Sequence, residues 1–412
     1  MEVGSYLLAS QEQDDYLEDD SYSKLITEGL IKTPAKAETF TRSDLKINQY
    51  KQHSNMPSSL SDQITSIYDK TIRGIEIKKP PRTLPQNPEK ILDAPELVND
   101  YYLNLLDWGN NNVLAVSLGQ SVYLWNAQNA EIQQLLSLEE EESYISSVSW
   151  SQRSNVLAVG TSLNTIQVWD AEKGQPIRNL HGHDQRVSSL NWNGCILSSG
   201  SRDATIMNHD LRMANPIISR FTHHNSEICG LKWSPDGTQL ASGSNDNTLM
   251  IWDLNYGAPR HIFREHTAAV KALAWCPWQK NLLASGGGTN DKTMKFWNTE
   301  NGSLVQSVNV NTQVCSLIWN PNEKEILSSH GFANTTEESA KSYIKLWKYP
   351  TMNVVGELKG HEDRVLHLAL SPDNETVVSA GADERLCFWK LFEAPFTKKK
   401  MNKGKVFMSD LR

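Results

Sequence analysis

The sequence lacks several features, and each absence excludes a class of protein. Its 412 residues hold no apolar run of the ~20 residues that a helix needs to cross a bilayer, so no transmembrane helix and no membrane partner is expected. There is no excess of basic charge. Asp and Glu number 48 against 40 Lys and Arg, a net charge of −8, which argues against a nucleic-acid binder driven by phosphate contacts. Cysteines are few, five in all, and none is spaced as CxxC. That argues against a disulfide framework and against a thiolate zinc site. Cys229, Cys276, Cys315 and Cys387 fall in predicted strands and read as small buried apolar residues in a reducing compartment, so nucleus and cytoplasm are the expected locations. The acidic N-terminus does not resemble a signal peptide. There is no HExxH, no metal-spaced His/Cys pair and no Gly-Lys-Ser/Thr phosphate loop, so neither a metal nor a cofactor is expected. Gly286-Gly287-Gly288-Thr289 imitates a phosphate cradle but sits between two strand patterns.

Tryptophan, by contrast, is plentiful and regularly placed. Of 13 tryptophans, 12 fall in two columns. The closing column reads Trp125, Trp169, His209, Trp252, Trp297, Trp347 and Trp389; the opening column reads Trp108, Trp150, Trp192, Trp233, Trp275, Trp319 and Leu370. Between Gly230 and Leu254, one unit reads as three alternating apolar runs separated by Pro235-Asp236-Gly237 and Asn245-Asp246-Asn247. Period-two alternation with tight turns predicts strand, turn, strand, turn, strand. A repeat of about 40–45 residues closing on Trp-Asp is the signature of the WD repeat, one four-stranded blade each. The fold class expected is therefore all-β, a seven-bladed WD-repeat β-propeller with a disordered N-terminal extension and a short C-terminal tail.

Three parts follow: residues 1–88, the propeller over 89–394, and a basic tail over 395–412. Met1–Asp20 carries seven acidic residues and no basic one, and the polar stretch after it buries too little apolar area to offset chain entropy. In it, Thr33-Pro34-Ala35-Lys36 fits a proline-directed kinase site, which makes Thr33 a phosphorylation candidate; Arg42–Leu45 is a minimal RxxL. The seventh repeat ends after three strands, at Leu391, and would leave an open edge. Lys90–Asp93, ahead of the first repeat, is expected to supply the missing strand and close the ring. Blade one is expected to use Leu103–Trp108, Val113–Ser117, Val122–Trp125 and Ile132–Leu136. Phe332 to Lys341 reads as an exposed insertion in blade six.

His224, Ser242, Asp246 and Trp252 recur as His266, Ser285, Asp291 and Trp297, and as His361, Ser379, Asp383 and Trp389. Blade three has His183, Ser199 and Asp203, with His209 in place of Trp. A Ser/His/Asp set invites a hydrolase reading. Its recurrence argues for a buried structural network instead, because a catalytic triad is needed once. No catalytic residue is assigned, and the chain reads as a binding module. Blades one, two and six lack the set.

Outside the repeat consensus, Lys90–Leu97 and Asn99–Trp108 resemble the lead-in to the propeller of the fizzy and fizzy-related family, the activators that recruit substrates to the anaphase-promoting complex, a ubiquitin ligase. Ser198–Arg202, Ala274–Gln279, His330–Ala333 and Trp347–Met352 are similar to the same family. The resemblance covers about residues 88–392 and implies a non-catalytic receptor for degron peptides, with ligase subunits, degron-bearing substrates and spindle-checkpoint inhibitors as partners. By that resemblance Asp107, Asn245, Asn247, Thr289, Gln313 and Arg364 would bind a KEN-box peptide, and Asp100 with Glu384 would take the arginine of a destruction box. Docking on the ligase would fall to Leu411-Arg412, where the family ends Ile-Arg, and to Lys70, Ile72 and Arg73. Residues 1–88 contain no Asp-Arg-aromatic-Ile-Pro C-box, which leaves a second reading open: a scaffold or decoy that binds degrons without activating the ligase.

Overall fold

In the computed structural model, the described residues are 84–152, 155–254, 257–332 and 344–393, together with the backbone of Tyr16–Leu17 and Phe40–Thr41. The chain divides into Met1–Arg82 and Thr83–Arg412. In the first unit, Tyr16–Leu17 pairs antiparallel with Phe40–Thr41. Thr33, Lys70, Ile72, Arg73, Leu411 and Arg412 lie outside the described residues.

The second unit is a ring of seven four-stranded antiparallel sheets. Each sheet is a blade, and its strands are called a to d from the bore outward. Strands a pack on one another around the bore. Strand b is almost wholly buried, as in Gln239–Ser244, whereas strand d is mostly exposed, as in Ser303–Asn309. The closing tryptophans end strand c and lie between sheets; Trp252, Trp297 and Trp389 are at most 1% exposed. Burying an aromatic side chain of 150–250 Å² contributes about 4–6 kcal/mol, so each blade is held chiefly by its face against the next.

The recurring polar set is a buried chain of hydrogen bonds. In blade four the His224 imidazole donates from Nδ1 to Asp246 (3.0 Å), Ser242 donates to His224 Nε2 (2.7 Å), and the Trp252 indole donates to Ser242 (2.7 Å). Blades five and seven repeat it through His266, Asp291, Ser285 and Trp297, and through His361, Asp383, Ser379 and Trp389. Blade three substitutes His209, 3.2 Å from Ser199. The serines are 0% exposed, so none presents a nucleophile. Blade six keeps the chain by another route. Trp347 donates to Ser328 (2.7 Å), Ser328 to His330 (2.8 Å), and His330 Nδ1 meets Thr312 (2.8 Å). Its histidine comes from strand b, a position that the spacing of the other sets does not reveal.

The ring closes as its sequence implies. Lys90–Asp93 pairs antiparallel with Arg385–Lys390 and is the d strand of blade seven. Blade one departs from expectation. Its inner strand is Leu106–Trp108, not Leu103–Trp108. Residues before Leu106 are diverted across the bore, where Asn104 makes a parallel bridge to Ser147 of blade two.

The seams between blades are unequal. The opening tryptophans tie each blade to the one before it. Trp192 donates to Ser149 O, Trp233 to Ser198 Oγ, Trp275 to Lys232 O and Trp319 to Ala274 O, each at 3.0 Å. The Trp108 and Trp150 indoles have no partner, and blade seven has Leu370 at this position. The ties therefore run from blade two to blade six and fail at the three seams around the closure.

Removing residues 1–93 should expose the edge of Arg385–Lys390 and uncover the apolar cluster under Leu92. At about 2–3 kcal/mol for lost burial, the thermal midpoint should fall by roughly 5 °C or more. Removing only residues 1–82, which leaves Leu84 on the apolar cluster of Leu346, Leu358 and Trp389, should leave it within about 2 °C, as read by scanning calorimetry.

Candidate functional site

The His–Asp bonds define one end of the ring. The histidine precedes strand a, the aspartate lies in the turn between strands b and c, and their contact shows that both connections share that rim. Asn245 and Asn247 flank Asp246 in the turn of blade four, and Thr289 lies in the corresponding turn of blade five. Gln313 and Arg364 immediately precede the inner strands of blades six and seven, and Glu384 is in the turn of blade seven. These residues thus share one rim. Asn247 has a φ of 67°, in the left-handed region where Asn is tolerated; Glu384 occupies the same region at 58°.

The segment between the closing strand and blade one organises this rim. It must travel from the outside of blade seven to the inside of blade one, and so it crosses the mouth of the bore. Asn99 accepts from Arg364 Nε through its side chain and from Nη2 through its carbonyl (2.8 Å), both on blade seven. Asp100 accepts from Arg186 of blade three at 2.9 Å. The Tyr101 hydroxyl reaches Val314 O of blade six (3.2 Å) and Ala269 O at the start of blade five (3.4 Å). Tyr102 donates to Asn245 of blade four (3.0 Å). Asn104 Nδ2 donates to Ser188 O (2.7 Å) and Cys229 O (3.0 Å), and its amide to Ser146 O of blade two (3.1 Å). Asn99–Asn104 therefore bonds to blades two through seven.

Under Tyr101 the bore is sealed and cationic. Lys271 is 5% exposed, lies 5.5 Å from the Tyr101 ring and makes one long bond, 3.4 Å, to Leu366 O. Burial pulls its ammonium down to about 8. His367 is buried beside it, with Nε2 unpartnered; desolvation first, then the charges of Lys271 and Arg364, hold it neutral.

At the rim, Arg364 is 8% exposed and its guanidinium stacks 4.5 Å from the ring of Phe332, which is 53% exposed. Arg364 Nη1 makes no hydrogen bond among the described residues. Gln313 is buried; its amide donates to Phe332 O (3.1 Å), and its carbonyl accepts from Gly331 (2.9 Å). A Cβ at 331 would lie 2.3 Å from Gln313 Oε1, so glycine here lets the Gln313 side chain keep its place against the strand. Asn245 and Glu384 are exposed; Glu384 Oε1 accepts one long bond, 3.3 Å, from the Glu96 amide.

Two expectations are corrected. Asp107 does not join the KEN-type group. Its strand runs away from this rim, and its carboxylate accepts from the Trp150 amide (2.7 Å) and its own neighbour Trp108 (3.1 Å), near the opposite end. Asn191 does the same for Trp233 (2.8 Å), so Asp107 is a seam residue. Burial raises its pKa, against the influence of Lys232 and two amides. Asp100 is not an open receptor for an arginine, because Arg186 already occupies it; Arg186 is held in turn by Glu227 (2.7 Å) and Tyr144 (3.0 Å). Sequence reasoning missed Asn99, Tyr101, Tyr102, Arg186 and Phe332. The aromatic pair Tyr101-Tyr102 just outside the first repeat was the available signal.

In this seven-bladed WD propeller the serines of the recurring set are buried, and polar loops of several blades are gathered on one rim, where a single peptide or protein surface could meet them together. Residues 92–389 match the CDC20/Fizzy WD40 domain. The chain belongs to the CDC20/Fizzy family. It is 53% identical over 320 residues to the anaphase-promoting complex subunit cdc20 of Dictyostelium discoideum, an alignment covering 77% of this chain and 63% of that protein. It is 48% identical over 329 residues to cell division cycle 20.1, a cofactor of the APC complex, of Arabidopsis thaliana, covering 78% and 70%. Among solved structures, a chain of the mitotic checkpoint complex matches at 45% identity with a TM-score of 0.72, covering 77% of this chain and 96% of that one.

The buried histidines predict acid sensitivity. Desolvation, the largest cause in each, lowers His330 to about 3 and His209 to about 4. Both bind a proton more readily when unfolded, so stability is lost as pH falls from about 6.5 toward these values, by roughly 1.4 kcal/mol per unit for each. The aspartates of the network have lowered pKa values, Asp291 to about 2, and carry stability that is lost lower still, below about pH 4. The thermal midpoint should therefore drop between pH 7 and 5. His330→Asn should lower the midpoint at pH 7 and flatten that drop, as read by circular dichroism melts.

Proposed function

We propose that this chain is a substrate-recognition activator of the anaphase-promoting complex ubiquitin ligase, a non-catalytic adaptor that holds degron peptides on the rim. Its family membership, and the naming of its relatives as a subunit or cofactor of that complex, support the reading. The observation that carries it is Arg364. This guanidinium is fixed by Asn99 and Phe332 with Nη1 left over, at a rim that also presents Asn245, Asn247 and Thr289. A KEN-type peptide offers a carboxylate for Arg364 and an amide for the asparagines, both charge-assisted or reciprocal bonds. Asp107 is left out of this pocket.

A destruction box offers an arginine. Glu384 is the exposed carboxylate for it, and Asp100, paired with Arg186, is left out. Leu411-Arg412 and Lys70, Ile72 and Arg73 would dock the chain on the ligase, with Thr33 phosphorylation adding charge to the acidic N-terminal sequence and tuning that docking. Ligase subunits, degron-bearing cell-cycle proteins and checkpoint inhibitors are the partners of this reading. The decoy reading is kept for one reason: residues 1–88 carry no C-box sequence.

Peptide binding tests the pockets. Arg364→Ala should weaken a KEN peptide roughly 10- to 100-fold and leave an RxxL peptide unchanged, and Glu384→Ala should do the reverse. Equal loss of both peptides in either variant would remove the assignment. A ubiquitination assay with the purified full chain tests the role: degron-dependent product is expected, whereas inhibition of an active ligase would favour the decoy.

A further inference from the structure

Part of the crossing segment joins two blades in a closed circuit of hydrogen bonds. Arg186 immediately precedes the inner strand of blade three, Val187–Asn193. Its guanidinium donates from Nε and Nη2 to the two carboxylate oxygens of Glu227, at 2.7 and 2.9 Å. Nη1 donates to Asp100 Oδ2 (2.9 Å) and to the Tyr144 hydroxyl (3.0 Å). The second oxygen of Asp100 accepts from the Tyr102 amide (2.9 Å). The Tyr102 hydroxyl donates to Asn245 Oδ1 (3.0 Å). Asn245 closes the circuit, because its main-chain amide donates to Glu227 O at 2.9 Å. Blade three thus supplies the cation, the crossing segment the relay, and blade four both ends.

The circuit is held by charge. The side chains of Arg186 and Glu227 are 11% and 8% exposed, and that of Asp100 is 27% exposed. Arg186 is the one cation paired with these two carboxylates among the described residues. Its planar fork meets Glu227 with two donors and Asp100 with a third, so the guanidinium is not free to turn. Without it the two carboxylates would be left with no countercharge between them, and Asp100, the less buried, would move toward water. Asp100 holds the Tyr102 amide, so Tyr102 would move with it.

Asn245 is the exposed member of the circuit. Burial is the largest of the causes that raise the pKa of Tyr102, so its hydroxyl stays protonated and remains a donor. That bond takes the Asn245 carbonyl. Of the two side-chain N–H groups, one makes a long bond to Ser226 Oγ (3.3 Å), and the other has no acceptor among the described residues. What Asn245 offers a ligand is therefore a donor.

We propose that Arg186 is a positioning residue: through Asp100 and Tyr102 it fixes the Asn245 side chain with its carbonyl engaged and an N–H free, so that this point of the rim takes a hydrogen-bond acceptor, the amide oxygen of a bound peptide. Arg186 itself does not touch the ligand. The inference rests on the reading of this rim as a degron site, and it adds which atom of Asn245 does the binding and what holds it there.

The free chain is tested first. In the full chain, isotope-labelled at asparagine, the side-chain amide signal of Asn245 is assigned by its loss in Asn245→Ser. Arg186→Met should move this signal as Tyr102→Phe does, and the double variant should move it no further. The second readout is the anisotropy of a fluorescein-labelled KEN peptide. Arg186→Met and Tyr102→Phe should each weaken binding about tenfold, and together about tenfold rather than a hundredfold, because both break one chain of bonds. Arg186→Lys keeps a cation between the carboxylates and should recover about threefold of the loss. Asn245→Asp keeps the acceptor for Tyr102 but removes the free donor, and should also weaken the peptide about tenfold. An unmoved Asn245 signal in Arg186→Met, or multiplicative losses with Tyr102→Phe, overturns the role of Arg186. Undiminished binding by Asn245→Asp overturns the donor assignment. If circular dichroism shows that Arg186→Met does not fold, Arg186→Lys takes its place in both comparisons. If the wild-type chain binds no KEN peptide, the degron reading fails, and the signal in the free chain alone decides whether Arg186 positions Asn245.

Discussion

The structure depends on one pairing, that of Lys90–Asp93 with Arg385–Lys390. A ring of blades made from a linear chain must join its ends, and here the join is made on the outside of blade seven. Blade one begins on the inside. The connection has no path but across the mouth of the bore, so Asn99–Asn104 is carried past every other blade from two to seven. The plug at the bore and the binding rim are thus products of how the ring closes. Asn99 positions Arg364, Tyr102 positions Asn245, and Asp100 is drawn into a pair with Arg186. Loops of different blades are connected by a segment that belongs to none of their repeats.

Two sets of polar residues must be kept apart. The His, Ser, Asp and Trp of blades four, five and seven are buried and satisfied by one another, and they stiffen the turns. Asn245 and Asn247 stand on either side of one of those aspartates, the first exposed and the second half-buried. The turn therefore does both jobs: its centre anchors it and its flanks present amides. Stiffening a recognition loop from beneath reduces the entropy lost when a peptide binds.

Whatever repeats was legible in the sequence. The two tryptophan columns give the blade count, the recurring set gives its own buried role, and the missing seventh strand points to Lys90–Asp93. What does not repeat was legible only in part. Leu103–Leu105 has the alternation of an inner strand, but tertiary contacts pull it across the bore. Asp107 has the charge for a lysine receptor, but its position on strand a directs it to a neighbouring amide. The pair of Asp100 with Arg186 spans 86 residues, and no local pattern announces it. His330 performs the office of a histidine that other blades take from a different loop.

The tryptophan ties add a further property. Four seams are stitched by an indole and three in succession are not. The ring thus has two kinds of joint: a run of seams that share a directional indole bond, and a run around the closure where packing such as that of Trp108, Trp125 and Phe388 takes its place. Arg364 and Glu384 both stand in the second run, so the binding rim straddles the part of the ring that is joined by the fit of packed rings rather than by indole donors.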